Sequence, residues 1–124
     1  MSKFVKVRTE LRDVALVKKA LDDLKLRYEE DVRYRHYFSG ANEAAALVVH
    51  ARSGNFGLKP NAEGALEVMG DSMQMAGVRQ LLAQVQQRYA YHMVVQETEK
   101  AGFALVEEQT GSDQVIRMTV RRWN

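Results

Sequence analysis

Residues 77–103 read GVRQLLAQVQQRYAYHMVVQETEKAGF. Val78, Leu81, Leu82, Val85, Tyr89, His92 and Met93 recur at steps of three and four, which puts them on one face of a helix. Gln84, Gln87, Arg88 and Tyr91 fall mostly on the other side. Gly102, shortly after Lys100, suits a left-handed C′ position, with Phe103 packing back on the last turn. The spacing predicts a long two-sided helix. Strand-like sequence on either side of it predicts a sheet laid against its apolar flank.

Upstream, KFVKVRT at 3–9 alternates, with Val5, Val7 and Thr9 opposite Phe4, Lys6 and Arg8; this is the pattern of a half-buried strand. Asp13 suits an N-cap, and Val14, Leu16, Val17, Ala20, Leu21 and Leu24 form the buried stripe of a first helix. That helix is expected to end near Leu24 or Lys25. Asp22 and Asp23 are then poorly placed at its negative end. Strands follow at 31–38 and 45–51 around the Ser39–Asn42 turn, and a second hairpin spans 54–69 around Pro60–Gly64. Past Phe103, ALVEE and VIRMTVRRW make a last hairpin across Thr110–Asp113. In its second strand Ile116, Met118 and Val120 share one face, and Val115, Arg117, Thr119 and Arg121 the other. The order β-α-β-β-β-β-α-β-β describes one α+β domain over 1–124. It predicts two layers: a mostly antiparallel sheet with two helices on one face.

The 124 residues are 46% apolar and 27% charged, fitting a single globular domain. There is no cysteine, which excludes disulfides, thiolate metal sites and a cysteine nucleophile. No apolar run reaches the roughly 18–20 residues that span a bilayer, and the charged, alternating start does not read as a signal peptide. A cytoplasmic protein with no membrane association is expected. Net charge is only +2, so the position of the basic residues matters more than their number.

Arg88, Tyr91, Gln84 and Gln87 make a polar helix face that is either solvated or a contact surface, since tyrosine and arginine are enriched at binding hot spots. Arg33 and Arg35 interleave with Tyr34 and Tyr37, a pattern able to stack bases and hold phosphates. Glu29, Glu30 and Asp31 sit beside them and offset the charge. Trp123 anchors the last strand or docks on another subunit, so a homo-oligomer remains open. His92, on the apolar face, reads as a core histidine or as a base. His36 and His50 lie on adjacent strands, and with His92 they could form a three-histidine zinc site; without His-x-x-x-His spacing, neither a metal nor a cofactor is assigned. Gly54–Gly57 lacks the phosphate-loop pattern. Glu107 and Glu108 adjoin, so a strand points them to opposite faces and they cannot work as a catalytic pair.

QQRYAYH at 86–92, Gly102-Phe103, VEE at 106–108 and the terminal RRW at 121–123 together resemble the family of hypothetical chloroplast reading frame thirty-five, a plastid and bacterial domain of unknown function. FVKVRTELRD and GNFGL followed by NAEGALEVMGD extend the likeness over most of the chain. Here Asn61–Gly64 stands in for the family's usual Asp-Gly turn, Met69-Gly70-Asp71 stands near its aspartate, and the tryptophan of its tryptophan-glycine pair is missing. The resemblance implies the same fold. Because such proteins are often encoded beside AAA-type ATPases, it also implies a partner or adaptor role. The expectation is a non-enzymatic module that binds a protein partner, with single-stranded nucleic acid or histidine-based chemistry as the alternatives.

Overall fold

A computed structural model describes residues 2–122. The elements are β1 (Phe4–Arg8), α1 (Val14–Asp23), β2 (Arg27–Arg35), β3 (Asn42–His50), β4 (Phe56–Pro60), β5 (Leu66–Asp71), α2 (Met75–Lys100), β6 (Phe103–Thr110) and β7 (Ile116–Arg122). This is the expected α+β order. Strands β2 to β5 form an antiparallel meander, and β1 adds to the outer edge of β5, giving the order β1-β5-β4-β3-β2. Among the described residues, strands β6 and β7 do not join this sheet and pair only with each other, as a separate two-stranded ribbon.

The alternation in each strand explains the layering. Val5 and Val7 of β1, Leu47 and Val49 of β3, Phe56 and Leu58 of β4, and Leu66 and Val68 of β5 pack in one core. Leu16, Val17, Ala20 and Leu21 of α1 enter it, with Met75, Val78, Leu82, Val85 and Tyr89 of α2. Both helices therefore cover one face of the sheet. The opposite face has a smaller cluster, in which Tyr34, Ala45, Val48 and Met69 are buried and Phe4 and Val32 pack against them. Tyr34 of β2 and its near neighbour Ala45 of β3 lie on the hairpin-tip side of Asp31. Its φ is 51°, and Asp31 drops out of an otherwise unshifted pairing with β3.

Helix α1 begins as expected, with the Asp13 side chain accepting from Leu16 N at 3.3 Å. It ends in a Schellman turn: Lys25 N donates to Asp22 O, Leu26 N donates to Leu21 O, and Lys25 is left-handed at φ 57°. Helix α2 runs unbroken for 26 residues, about 39 Å at 1.5 Å per residue. Gly102, at φ 87°, closes it by donating from its amide to Glu99 O. Its buried side chains stop at Tyr89. The last three turns thus project beyond the core, and the ribbon folds back along them.

The strand after α1 is placed earlier than the sequence pattern suggests, at 27–35 instead of 31–38. The acidic run Glu29–Asp31 does not delay it, because these carboxylates sit at an edge strand open to water, where only the backbone has to pair. Residues 37–39 turn the hairpin instead, with His36 N donating to Ala41 O at 2.8 Å.

Candidate functional site

Three polar or apolar concentrations stand out. The first ties the helices to the ribbon. Arg88 Nε donates to Asp23 Oδ2 at 2.9 Å, and its Nη1 donates to Glu108 Oε1 at 3.2 Å. His92 Nε2 meets the same Asp23 oxygen at 2.6 Å. The Arg88 guanidinium lies 4.2 Å from the centre of the Tyr91 ring. Burial pushes the Asp23 carboxyl up, but hydrogen bonds from Arg88 and His92 outweigh it and hold the group below its ordinary value. Burial pushes the Tyr91 phenol up, and a hydrogen bond to Glu108 adds to this. Asp23, unfavourable for the end of α1 on its own, is explained by these two partners on α2.

This arrangement revises the picture of a free polar flank. Arg88 and Tyr91 are half-buried and turned towards α1 and β6, and Gln87 Nε2 donates to the carbonyl of Gln114 in the ribbon turn. Gln84 remains exposed beside an open crevice with Ala83 and Leu24. His92 is not a core side chain bonded to a strand; it is half-buried on Asp23. The reason is geometric. Past Tyr89 the helix has left the sheet behind, so His92 meets Asp23 at the end of α1 instead of a strand.

The second concentration is the β2–β3 hairpin tip. His36, 3% exposed, lies between Ser39 Oγ at 2.6 Å from Nδ1 and Asp71 Oδ2 at 3.2 Å from Nε2. Ser39 N also donates to Nδ1 at 3.1 Å, which leaves Nε2 to carry the proton towards Asp71. Asp71 Oδ1 accepts Met73 N at 2.8 Å. That backbone bond leads in holding the Asp71 carboxyl low against the cost of burial, with His36 helping. A hydroxyl, an imidazole and a carboxylate are in line, and the amides of Ser39, Gly40 and Ala41 are taken up within the turn. Gly40 N goes to His36 O, and Ala41 N goes to Ser39 Oγ. The line links the hairpin tip to the end of β5. The sequence signal was weak: His36 and Ser39 lie within four positions, but Asp71 is brought in only by the sheet.

At the same tip Tyr37 and Phe38 are 91% and 69% exposed and meet edge to face at 5.3 Å. Arg35 is exposed beside them, while Arg33 is engaged by the Asn42 side chain and carbonyl. The three histidines do not converge. His36 sits on Asp71, His50 faces Glu29 at 3.7 Å and His92 sits on Asp23. No group of three metal-ligating side chains occurs among the described residues. Trp123, the remaining candidate, lies outside them.

The third concentration was not singled out from the sequence. Between the projecting end of α2 and the inner face of β7 runs an apolar crevice in two adjoining lobes. One, of about 450 Å³, is lined by Met93, Val94, Ala101, Phe103 and Val120 with Glu97 and Thr98 at its rim. The other, of about 350 Å³, is lined by Ala90, Tyr91, Val94, Val115, Ile116 and Met118 beside Gln87. Met93, Val94, Val115 and Val120 are all exposed. The signal was present in the Ile116, Met118, Val120 alternation. What could not be read was that the main sheet would leave this row uncovered. Among the described residues no helix is long and apolar enough to cross a membrane.

Comparison with known proteins agrees with the motif-based resemblance. An uncharacterized protein, ycf35, of Pyropia yezoensis is 28% identical over 130 residues, covering 100% of this chain and 99% of the relative. The proteins of the same name from Cyanophora paradoxa and Guillardia theta are 27% and 28% identical, each alignment covering 99% of this chain and 98% of the relative. No solved structure matches the chain. The family described as protein of unknown function (DUF1257) matches residues 20–119, from the end of α1 to within β7, and the chain belongs to that family.

Proposed function

We propose that this protein is a non-enzymatic interaction module of the cytoplasm whose partner protein docks on the arm formed by the end of α2 and the β6–β7 ribbon. One observation carries the reading: the arm leaves an apolar crevice open to solvent, with Met93, Val94, Val115 and Val120 exposed around it. Contiguous apolar surface of this kind, rimmed by polar groups, marks interaction sites. Arg88, Asp23, His92 and Glu108 serve the module by holding the arm to the core. A AAA-type ATPase is the first partner to test, on the strength of the family resemblance.

The test places a photo-crosslinking residue at Val94 and, as a control, at Arg52, which lies in the turn at the other end of α2. The reading expects a discrete adduct with the purified candidate partner from position 94 only, lost when Val120→Asp is added. Equal labelling from both positions, or none from either with a folded chain, overturns it.

A second reading is favoured by Tyr37 and Phe38, whose exposure beside Arg35 gives a stacking platform for single-stranded nucleic acid. Its signature is affinity that falls steeply with salt and is lost in Tyr37→Ala, Phe38→Ala. A salt-independent affinity that survives both substitutions removes this reading.

A further inference from the structure

We propose that the free edge of β7 takes up an extended, acidic segment of the partner protein as a third strand of the ribbon, its alternate side chains divided between the apolar crevice and an arginine-bearing face. This rests on the interaction-module reading and specifies the chemistry of the partner.

The backbone comes first. β7 is seven residues long and, among the described residues, hydrogen-bonds only to β6. Its other edge presents N–H and C=O groups that an added strand can pair. Side chains then set what kind of strand fits. Ile116, Met118 and Val120 point into the crevice towards α2, while Arg117, Thr119 and Arg121 are exposed on the outer face. A strand added in register alternates in the same way. One set of its side chains enters the space bounded by Met93, Val94 and Phe103. The other set lies beside Arg117 and Arg121.

The arginines select the sign. Among the described residues Arg117 is held only by an exposed contact to Asp113 at 3.1 Å, with its side chain 61% accessible. Arg121 makes no salt bridge among the described residues, and the Arg122 guanidinium lies 5.6 Å from the ring centre of Phe103, one of the residues lining the crevice. Like charges directly across a strand pair are unfavourable and opposite charges favourable. The matching segment therefore alternates apolar and acidic residues.

The same charges argue against a second copy of this chain. Another β7 brings Arg117, Arg121 and Arg122 to an edge that already has three arginines. Another β6 offers Glu107 and Glu108 on opposite faces, and Glu108 is already taken by Arg88 at 3.2 Å.

The experiment uses the full chain and fluorescent peptides matched in length to β7. One alternates glutamate with valine, one lysine with valine, and a third is the acidic peptide with alternate amides N-methylated to block edge pairing. Anisotropy should show the acidic peptide binding at least about tenfold more tightly than the other two, with the preference weakened by salt. Arg117→Glu with Arg121→Glu should reverse the preference towards the lysine peptide, a gain that misfolding cannot produce. Equal binding of acidic and basic peptides, undiminished binding of the methylated one, or no binding while β6–β7 amides remain protected from exchange overturns the proposal. So does self-association that the acidic peptide fails to compete. If the peptides fail but a partner still crosslinks at Val94, strand addition falls and the module reading stands. If both fail, both fall.

Discussion

Replacing Tyr89 by phenylalanine tests how the two helices are joined. The phenol oxygen of Tyr89, a residue 6% exposed, accepts the amides of Arg12 at 3.2 Å and Asp13 at 3.1 Å. These two N–H groups lie just before the first turn of α1. Phenylalanine keeps the ring and its packing against Val85 and the sheet, so the change removes only the acceptor. A buried donor left without a partner costs about 1–3 kcal/mol. Arg12 and Asp13 are themselves exposed, so water recovers part of that, and the expected loss is about 1–2 kcal/mol in total. For a domain of this length each kcal/mol shifts Tm by roughly 4 °C, so a fall of roughly 4–8 °C follows. Urea melts followed by circular dichroism should show a lower midpoint with the same slope. Native-state exchange should show the Arg12 and Asp13 amides opening about tenfold faster or more, the factor that goes with about 1.4 kcal/mol. Tyr89→Ala, which also empties a core site, should cost about 3–5 kcal/mol. If Tyr89→Phe lies within about 0.5 kcal/mol of the wild type and both amides exchange unchanged, the phenol does not hold the start of α1.

Gly77→Ala places a Cβ 2.6 Å from Ser53 Cβ. The clash costs about 1–3 kcal/mol and exceeds the roughly 1 kcal/mol gained in helix propensity; adding Ser53→Gly should restore the melting temperature, and failure to do so rejects the contact. Arg88→Ala unties both Asp23 and Glu108; with side chains 23% and 30% exposed, a loss of about 1 kcal/mol is expected after discounting for solvent. Its signature is faster exchange in β6 ahead of the main sheet, and uniform acceleration everywhere would contradict it. Asp71 has a folded pKa below its unfolded value, so its contribution is complete above the ordinary carboxylate range, near 3.9, and is lost as pH falls through the lower folded value. Asp71→Asn should therefore flatten the acid limb of the stability–pH curve and leave the limb above neutrality unchanged; an unaltered acid limb would show that the link to His36 does not depend on charge.

Much of this architecture is local and was legible as such. Asp13 as a cap, Gly102 as a left-handed terminator, the alternation of β1 and β7 and the period of α2 each depend on neighbours within a few positions, where sterics and hydrogen bonding decide the outcome. The resemblance carried by the helix motif and the C-terminal hairpin likewise needed only the residues themselves. The roles of Arg88, Tyr91 and His92 were another matter. Their spacing says which side of a helix they occupy but not what lies opposite. Asp23, at the far end of α1, and Glu108, on the ribbon, reach them only because α1 packs beside α2 and β6 folds back after Gly102. The Ser39–His36–Asp71 line depends in the same way on the tip of the β2–β3 hairpin reaching past β4 to the end of β5.

The sequence by itself determined the succession of elements, their caps and the faces they bury, because those follow from short-range periodicity. The tertiary structure alone decided that α2 outruns the sheet and that β6 and β7 stand apart from it. That outcome turns on how much length each layer can cover, a property no single segment contains. It converts an ordinary amphipathic hairpin into an arm with an open apolar crevice and an unpaired, arginine-bearing edge.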